Sequence, residues 1–280
     1  MPELPEAETL VRGLRPSVVG RTIDTAEVIH ADVLRRPTEE FRAAVGGRAF
    51  RDVGRRGKNV ILELDADGVI AVNLGMTGTL LPFSAPPTGG AAPTHPAVVF
   101  HLVSGGVLIF QDTRRFGTVE YLSSDAWAAR SAGMGPEPLD PAFTPEDLVS
   151  GMRRSRAPAR SWLLDQRRIA GIGNIYANEA LYLAGIHPQR PARTVTGPEG
   201  HRLHGALRDV LTRAIEAGGT TIRDYRNAEG EPGRFARRLR VYGRDGEPCD
   251  TCGRQIRRIV FANRSAFACP GCQPRSRGRR

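Results

Sequence analysis

The chain has 280 residues, 40% of them hydrophobic, with 40 Lys+Arg against 30 Asp+Glu and a formal net charge of +10. That length and apolar content point to a soluble globular protein of two domains rather than one, and exclude a membrane-spanning chain, because no apolar run reaches the roughly 18 residues a span needs. Residues 1–150 hold 14 basic against 19 acidic groups (−5) and residues 151–280 hold 26 against 11 (+15), so the second half is the part suited to a polyanion such as nucleic acid.

The first segment reads MPELPEAE. Pro2 and Pro5 suit an extended start and a first helical turn, and Glu3, Glu6 and Glu8 place acids where the helix dipole favours them. An acidic start of this kind lacks the basic-then-apolar layout of a signal peptide, so a cytoplasmic location is expected. Residues 17–64 then alternate β-branched runs with turns, as in TAEVIHADVL, and KNVILELDADGVIAVNLGM carries an Asp-Gly turn between two apolar strands. SAPPTGGAAPTHP reads as a mobile Pro/Gly loop, and AVVFHLVSGGVLIFQD as two further strands about Ser-Gly-Gly.

Near GMGPEPLDPAFTPEDL the texture changes to a Pro-rich linker and then to helical periods in EDLVSGMRRS, SWLLDQRRIAG, NIYANEALYLAG and GHRLHGALRDVLTRAIEAGG. TTIRDYRNAEGEPGRFARR is too polar to pack as a core element, and the tail PRSRGRR is expected to be disordered.

Four features carry chemistry. All four cysteines, Cys249, Cys252, Cys269 and Cys272, form two C-x2-C pairs separated by 16 residues. This spacing lets four thiolates converge tetrahedrally on one zinc ion, and a site with four protein ligands is structural because it has no open position. The residues between the pairs read as a β-hairpin, made basic by Arg254, Arg257, Arg258 and Arg264. In DQRRIAGIGNIYANEAL two apolar helices flank Gly171-Ile172-Gly173, with Asn174 in the place of an N-cap, so that a helix N-terminus can donate N–H groups to a phosphate. NLGMTG and QDTRRFG present Met76 and then Arg114, Arg115 and Phe116 at strand ends, side chains able to enter a base stack or to pack in a core. Of the 40 basic residues only Lys58 is a lysine, the single side-chain amine able to act as a nucleophile.

In order along the chain, PELPEAET, RRGKNVILEL, LGMTG, DTRRFG, GIGNIYANEAL, GGTT with RVYGR, and the paired C-x2-C motif resemble the bacterial formamidopyrimidine-DNA glycosylase family, which excises 8-oxoguanine and is related to endonuclease VIII. The resemblance implies an α+β fold: an N-terminal β-sandwich flanked by helices (1–130), a linker (131–150), a helix–two-turn–helix domain (151–242) whose 218–238 loop closes over the extruded base, a β-hairpin zinc finger (243–273) and the tail (274–280).

It also implies Pro2, with Met1 removed, as nucleophile and Glu3 as general acid/base, with Glu6 in support. Lys58, Asn174 and Arg264 would hold phosphates around the everted nucleotide, Lys58 and Arg264 counting with the catalytic group. Met76, Arg114 and Phe116 would fill the void in damaged double-stranded DNA, with Arg115 beside them and Arg114 facing the orphaned base. One structural zinc and a monomer working in the cytoplasm complete this expectation. Asn73 stands where the family generally has His, Arg160 where Lys is usual, and THPAVVF lacks the acid often found before its His. Two other readings stay open at this point: an endonuclease VIII-like enzyme for oxidised pyrimidines, against which Leu4 and the Met/Arg/Phe set argue, and a non-catalytic zinc-finger DNA-binding paralogue, against which Pro2 and Glu3 argue.

Overall fold

In a computed structural model, which describes residues 2–221 and 232–275, the period-two runs of the first half become two four-stranded antiparallel sheets. One sheet has the order β1 (Ile23–Val28), β6 (Pro96–Leu102), β7 (Val107–Asp112), β5 (Gly78–Phe83). The other has the order β2 (Phe50–Arg56), β3 (Asn59–Leu64), β4 (Val69–Asn73), β8 (Thr118–Leu122). Residues alternate in and out along each strand, so one face of each sheet is apolar and must be covered. Helix α1 (Leu4–Val18) contributes Leu10, Val11, Leu14 and Val18 to a core shared with Val53 and Leu62 of one sheet and with Val98 and Phe110 of the other. Phe100 meets Phe41 and Phe50 edge-on, at centroid distances of 6.2 and 6.4 Å. Phe41 comes from α2 (Thr38–Val45), and α3 (Ser124–Ala132) packs beside β8.

This first unit runs from Met1 to Gly133 and takes in Ala217–Arg234. Its chain changes sheet three times, first between β1 and β2 and then at two neighbouring places. β4 leads into β5 through residues 74–77, β7 leads into β8 through 113–117, and the strand ends on either side are paired, Asn73 with Thr118 and Gly78 with Asp112.

The second unit, Met134–Glu216 with Phe235–Arg280, is built of α4 (Pro145–Arg153), α5 (Ala159–Leu164), α6 (Asn174–Leu183) and α7 (Gly197–Glu216), followed by the hairpin β9 (Arg257–Phe261) and β10 (Arg264–Ala268). Thr144 and Asp147 cap α4 reciprocally, a pairing that satisfies otherwise orphaned N–H groups. The segment SWLLDQRRIAG is helical only to Leu164. Past that point the Gln166 side chain donates to the carbonyls of Leu164 (3.0 Å) and Ile172 (2.9 Å) and accepts from Gly171 N–H (2.9 Å), replacing helical bonds with a compact turn.

In the polar stretch that follows α7, the end residues Thr220 and Phe235 are buried, Phe235 against Tyr176 at 6.1 Å. Residues 222–231 of the expected 218–238 loop, and residues 276–280 of the tail, lie outside the described residues. No described helix is long and apolar enough to cross a membrane.

At the start of α7 a buried ion pair fixes the helix. Glu199 accepts from Arg190 Nη1 at 2.7 Å and Nη2 at 2.8 Å, and from Thr196 N–H and hydroxyl, both at 2.9 Å. Burial opposes ionisation of Glu199, yet these donors hold its carboxyl down to about 2, against an ordinary 4.5. Its lowered folded-state pKa makes the stabilisation complete above pH 4.5 and removes it as pH falls toward 2. Glu199→Gln is expected to lower stability at neutral pH by roughly 3 kcal/mol and to flatten the acid limb of a urea-denaturation series over that interval.

Candidate functional site

In the first unit, the head of α1 is fixed by one carboxylate. Glu3 is the N-cap residue in extended backbone, and its N–H donates to Glu6 Oε2 at 2.7 Å. The other oxygen of Glu6 accepts from Thr220 N–H, also at 2.7 Å. Glu3 and Glu6 are each 1% exposed, and Pro2 is buried with them. Buried carboxylates are costly unless hydrogen-bonded, so an Asp at position 6 would lose the reach of these bonds and a Gln would lose the charge as well as one acceptor. Glu6 thus joins the chain start to residues more than 200 positions away, a role that sequence proximity did not reveal. Lys58 occupies the two-residue turn between β2 and β3 with Gly57 at φ +59, where the Arg55 guanidinium donates to Gly57 O at 2.9 Å. Asn73, at the end of β4, donates to Asn59 Oδ1 (2.9 Å) and accepts from Gly75 N–H (3.0 Å), so it braces both the strand beside Lys58 and the loop bearing Met76.

Met76, Arg114, Arg115 and Phe116 come together on the two sheet-changing loops of the first unit and are exposed, Phe116 by 59% and Met76 by 38%. That resolves the alternative of core packing against them. The Arg114 guanidinium stacks on the Phe116 ring, 4.6 Å from its centroid. Arg115 takes a left-handed backbone, φ 53, which costs a non-glycine residue about 1 kcal/mol or more, and its side chain pairs with Asp32 at 3.0 Å. Gly75, at φ +56, runs against the opposite loop so closely that a Cβ there would lie 2.4 Å from Gly117 N.

In the second unit, Arg160 organises the basic end. Its side chain is 0% exposed and donates to an amide oxygen and to backbone carbonyls: Nη1 reaches Asn174 Oδ1 (2.7 Å) and Ser265 O (3.2 Å), and Nη2 reaches Phe261 O (2.9 Å) and Arg264 O (3.4 Å). The guanidinium also lies 4.1 Å from the Phe261 ring centroid. Burial and the nearby Arg264 charge push its pKa down. Asn174 donates in turn to Ser265 O at 2.9 Å. The N-cap of α6 is Gly173, in extended backbone, and Asn174 is the first helical residue. This corrects the expected cap: the Asn174 side chain is engaged by Arg160, by the hairpin and by Asn178 Nδ2 (3.3 Å) rather than by the N–H groups of its first turn. Arg264 follows a two-residue turn, Ala262 (φ 49) and Asn263 (φ 56), and stays exposed while its backbone is held by Arg160. The two positive φ values suit the twist of a tight hairpin.

The four thiol sulfurs lie within 4.8 Å of one another, with Cys249 and Cys272 at 3.8 Å and Cys252 and Cys269 at 3.3 Å. Both distances are too long for a disulfide and bracket the roughly 3.8 Å expected between ligands of a tetrahedral zinc with 2.3 Å bonds. Burial pushes the Cys269 and Cys272 thiols up, a penalty that a divalent cation removes. Tyr182 of α6 contacts Cys249 Sγ (3.2 Å) and Thr251 Oγ1 (2.8 Å), and Val241, Ile256 and Phe267 complete the apolar cluster around the knuckles. Glu179, also on α6, receives the N–H groups of Arg240, Val241 and Tyr242 at 2.8–3.0 Å, fixing the chain that enters the finger. The residues fit one structural zinc.

Three residues that organise these groups were not assigned such roles from sequence: Arg160, Glu179 and Asp112, whose carboxylate lies beneath the exposed loops. Arg160→Ala is expected to cost about 3–5 kcal/mol in thermal or urea unfolding, by leaving Asn174 and three hairpin carbonyls short of a donor, whereas Arg160→Lys keeps the charge and loses less. Chelation of zinc should free the hairpin and abolish DNA binding in a titration, while the circular dichroism of the first unit's sheets persists.

Comparison with known proteins agrees with this geometry. Residues 1–119 match the formamidopyrimidine-DNA glycosylase N-terminal domain, 134–226 the formamidopyrimidine-DNA glycosylase H2TH domain, and 246–275 the zinc finger found in FPG and IleRS. The chain is 47% identical to a formamidopyrimidine-DNA glycosylase of Chloroflexus aggregans over 98% of each chain, and 42% identical to one of Solibacter usitatus over 98% of this chain and all of that one. The MutM (Fpg) protein of Thermus thermophilus superposes with a TM-score of 0.87 at 40% identity, covering 99% of this chain and 100% of that one. The Lactococcus lactis Fpg in complex with DNA containing an abasic site superposes at 0.89 with 33% identity, covering 97% and 99%. With three family domains matched in order and identities above 40% over essentially the full length, this chain belongs to the formamidopyrimidine-DNA glycosylase family.

Proposed function

We propose that the chain removes oxidised purines, formamidopyrimidines and 8-oxoguanine, from duplex DNA through a covalent intermediate on Pro2, and then cleaves the strand as an AP lyase. Once Met1 is removed, Pro2 has a secondary amine. An N-terminal amine has a reference pKa of about 7.7–8.0, so a sizeable neutral fraction exists at physiological pH. Its nitrogen bonds to the deoxyribose C1′ as the bond to the damaged base breaks, and the base departs with a proton. Protonation of the ring oxygen by Glu3 opens the sugar and leaves an iminium ion. The iminium draws electrons from C2′, whose proton is lost to a base. β-Elimination then expels the 3′ phosphate, δ-elimination expels the 5′ phosphate, and hydrolysis of the remaining imine restores Pro2.

The observation that supports this reading is the buried, doubly bonded Glu6, which holds the backbone of Glu3, the residue next to Pro2. Lys58, Asn174 and Arg264 are assigned to the phosphates around the everted nucleotide, an arrangement in which phosphate contacts position the sugar for attack. Met76, Arg114 and Phe116 are assigned to the void, Arg114 to the orphaned base, and Arg115 to the flank of the same loop. The pre-stacked Arg114 and Phe116 and the exposure of Met76 support that assignment. Zinc does no chemistry: it holds the hairpin that carries Arg264. The same reading makes 1–130 the catalytic β-sandwich and 151–273 the DNA-holding part, working as a monomer in the cytoplasm, on the nucleoid.

Borohydride trapping on an abasic duplex tests the nucleophile. The wild type is expected to yield a covalent adduct. Pro2→Gly and Glu3→Gln are expected to lower 8-oxoguanine excision by about 100-fold or more, and Lys58→Ala is expected to trap still. A Pro2 variant that excises and traps like the wild type, together with loss of trapping in Lys58→Ala, would transfer the nucleophile to Lys58.

A further inference from the structure

Asp112 ends β7, and its carboxylate is 2% exposed. One oxygen accepts from the Thr77 hydroxyl and from Arg114 N–H (3.2 Å), and the other from Gly117 N–H (2.7 Å). Arg114 N–H is shared with Thr77 Oγ1 at 3.1 Å. These donors come from both sheet-changing loops: Thr77 is next to Met76 on the first, and Arg114 and Gly117 enclose Phe116 on the second. The loops also approach each other closely where side chains are missing: a Cβ on Gly75 would lie 2.4 Å from Gly117 N, and one on Gly117 would lie 2.8 Å from Asn73 O and 3.0 Å from Asp112 Oδ2. A carboxylate buried this deeply and held by two backbone N–H groups and a hydroxyl accepts hydrogen bonds only, and an amide in its place would present a donor to a donor.

We propose that Asp112 is the positioning residue of the void-filling group: through Thr77, Arg114 and Gly117 it fixes Met76 and Phe116 in one register relative to each other, so that they enter a duplex together. The inference rests on the assignment of Met76 and Phe116 to the void. It adds a residue that touches neither DNA nor the reacting atoms, and it locates the rigidity of the group in a single anion. Rigid placement matters because intercalating side chains displace a stacked base only if they need not be ordered at the moment of entry.

The test compares two substrates for each variant: excision of 8-oxoguanine opposite cytosine in a duplex, which requires the void to be filled, and borohydride trapping on a single-stranded abasic oligonucleotide, which has no void. Asp112→Asn, Thr77→Val, Thr77→Ser, Phe116→Ala and the Asp112→Asn/Phe116→Ala pair are measured, with thermal unfolding and zinc content recorded for each. The expected result is a fall in the duplex-to-single-strand rate ratio of ten-fold or more for Asp112→Asn and for Phe116→Ala, no further fall in the pair, a smaller fall for Thr77→Val, and recovery in Thr77→Ser.

Equal losses on both substrates, or additive losses in the pair, would mean that Asp112 supports the fold in general and would overturn the inference. An unchanged ratio in Asp112→Asn beside a reduced one in Phe116→Ala would overturn it while leaving the void assignment standing. An unchanged ratio in Phe116→Ala would overturn the void assignment itself, and with it the role of Asp112.

Discussion

Four buried ions, whose partners are mostly peptide groups, hold the candidate site residues of this chain in place. Glu6 accepts N–H from Glu3 and Thr220, Asp112 from Arg114 and Gly117, Glu179 from residues 240–242, and Arg160 donates to the carbonyls of Phe261, Arg264 and Ser265. Hydrogen bonds to an ionised group contribute about 1.5–3 kcal/mol each, twice the neutral value, and removing the ion leaves several buried backbone groups without partners. Such an ion specifies backbone position in a way that apolar packing cannot, because packing tolerates sliding and a set of convergent N–H groups does not. Each of the four ties together segments that are distant in sequence or lie on different loops.

The sandwich supplies the setting for this. Its apolar core, drawn from α1 and both sheets, holds the strands in register, and the two neighbouring crossings between sheets give loops whose ends cannot drift. Short loops on such anchors can carry an exposed Phe116 and Met76 without collapsing into the core. In the second unit α6 plays the corresponding part. Its first residue, Asn174, meets the hairpin, Glu179 grips the chain before the finger, and Tyr182 reaches the thiolates. One helix of ten residues thus joins the hairpin turn that carries Arg264 to the cysteine knuckles.

The parts legible from sequence were those whose chemistry is local. The C-x2-C pairs, the Asp-Gly and Ser-Gly-Gly turns and the acidic helix start each declare themselves within a few positions, whereas the exposure of Met76 and Phe116 did not. Helix ends were less legible: SWLLDQRRIAG keeps a helical apolar period past Leu164, but the Gln166 amide competes for the backbone and wins, and Asn174, a favourable cap by type, gives its side chain to Arg160 instead. Buried ions were least legible, since Asp112 and Arg160 look like solvated charges until residues up to 105 positions away surround them. An acid closing an apolar strand just before Thr-Arg-Arg was the available signal for Asp112, and a lone Arg amid Ala, Trp and Leu was the signal for Arg160.

The Glu6 carboxylate has a consequence of another kind. Its two oxygens are bonded to two backbone positions, Glu3 and Thr220, through a single rigid planar group. Displacement of either N–H therefore changes the free energy of the other, and linkage requires the effect to be equal in both directions. Whatever draws the backbone at Thr220 toward or away from Glu6 alters the setting of the Glu3 backbone beside Pro2, and a displacement at Glu3 acts back on Thr220 with the same coupling energy. The head of α1 and the backbone at Thr220 are, in thermodynamic terms, two ends of one carboxylate.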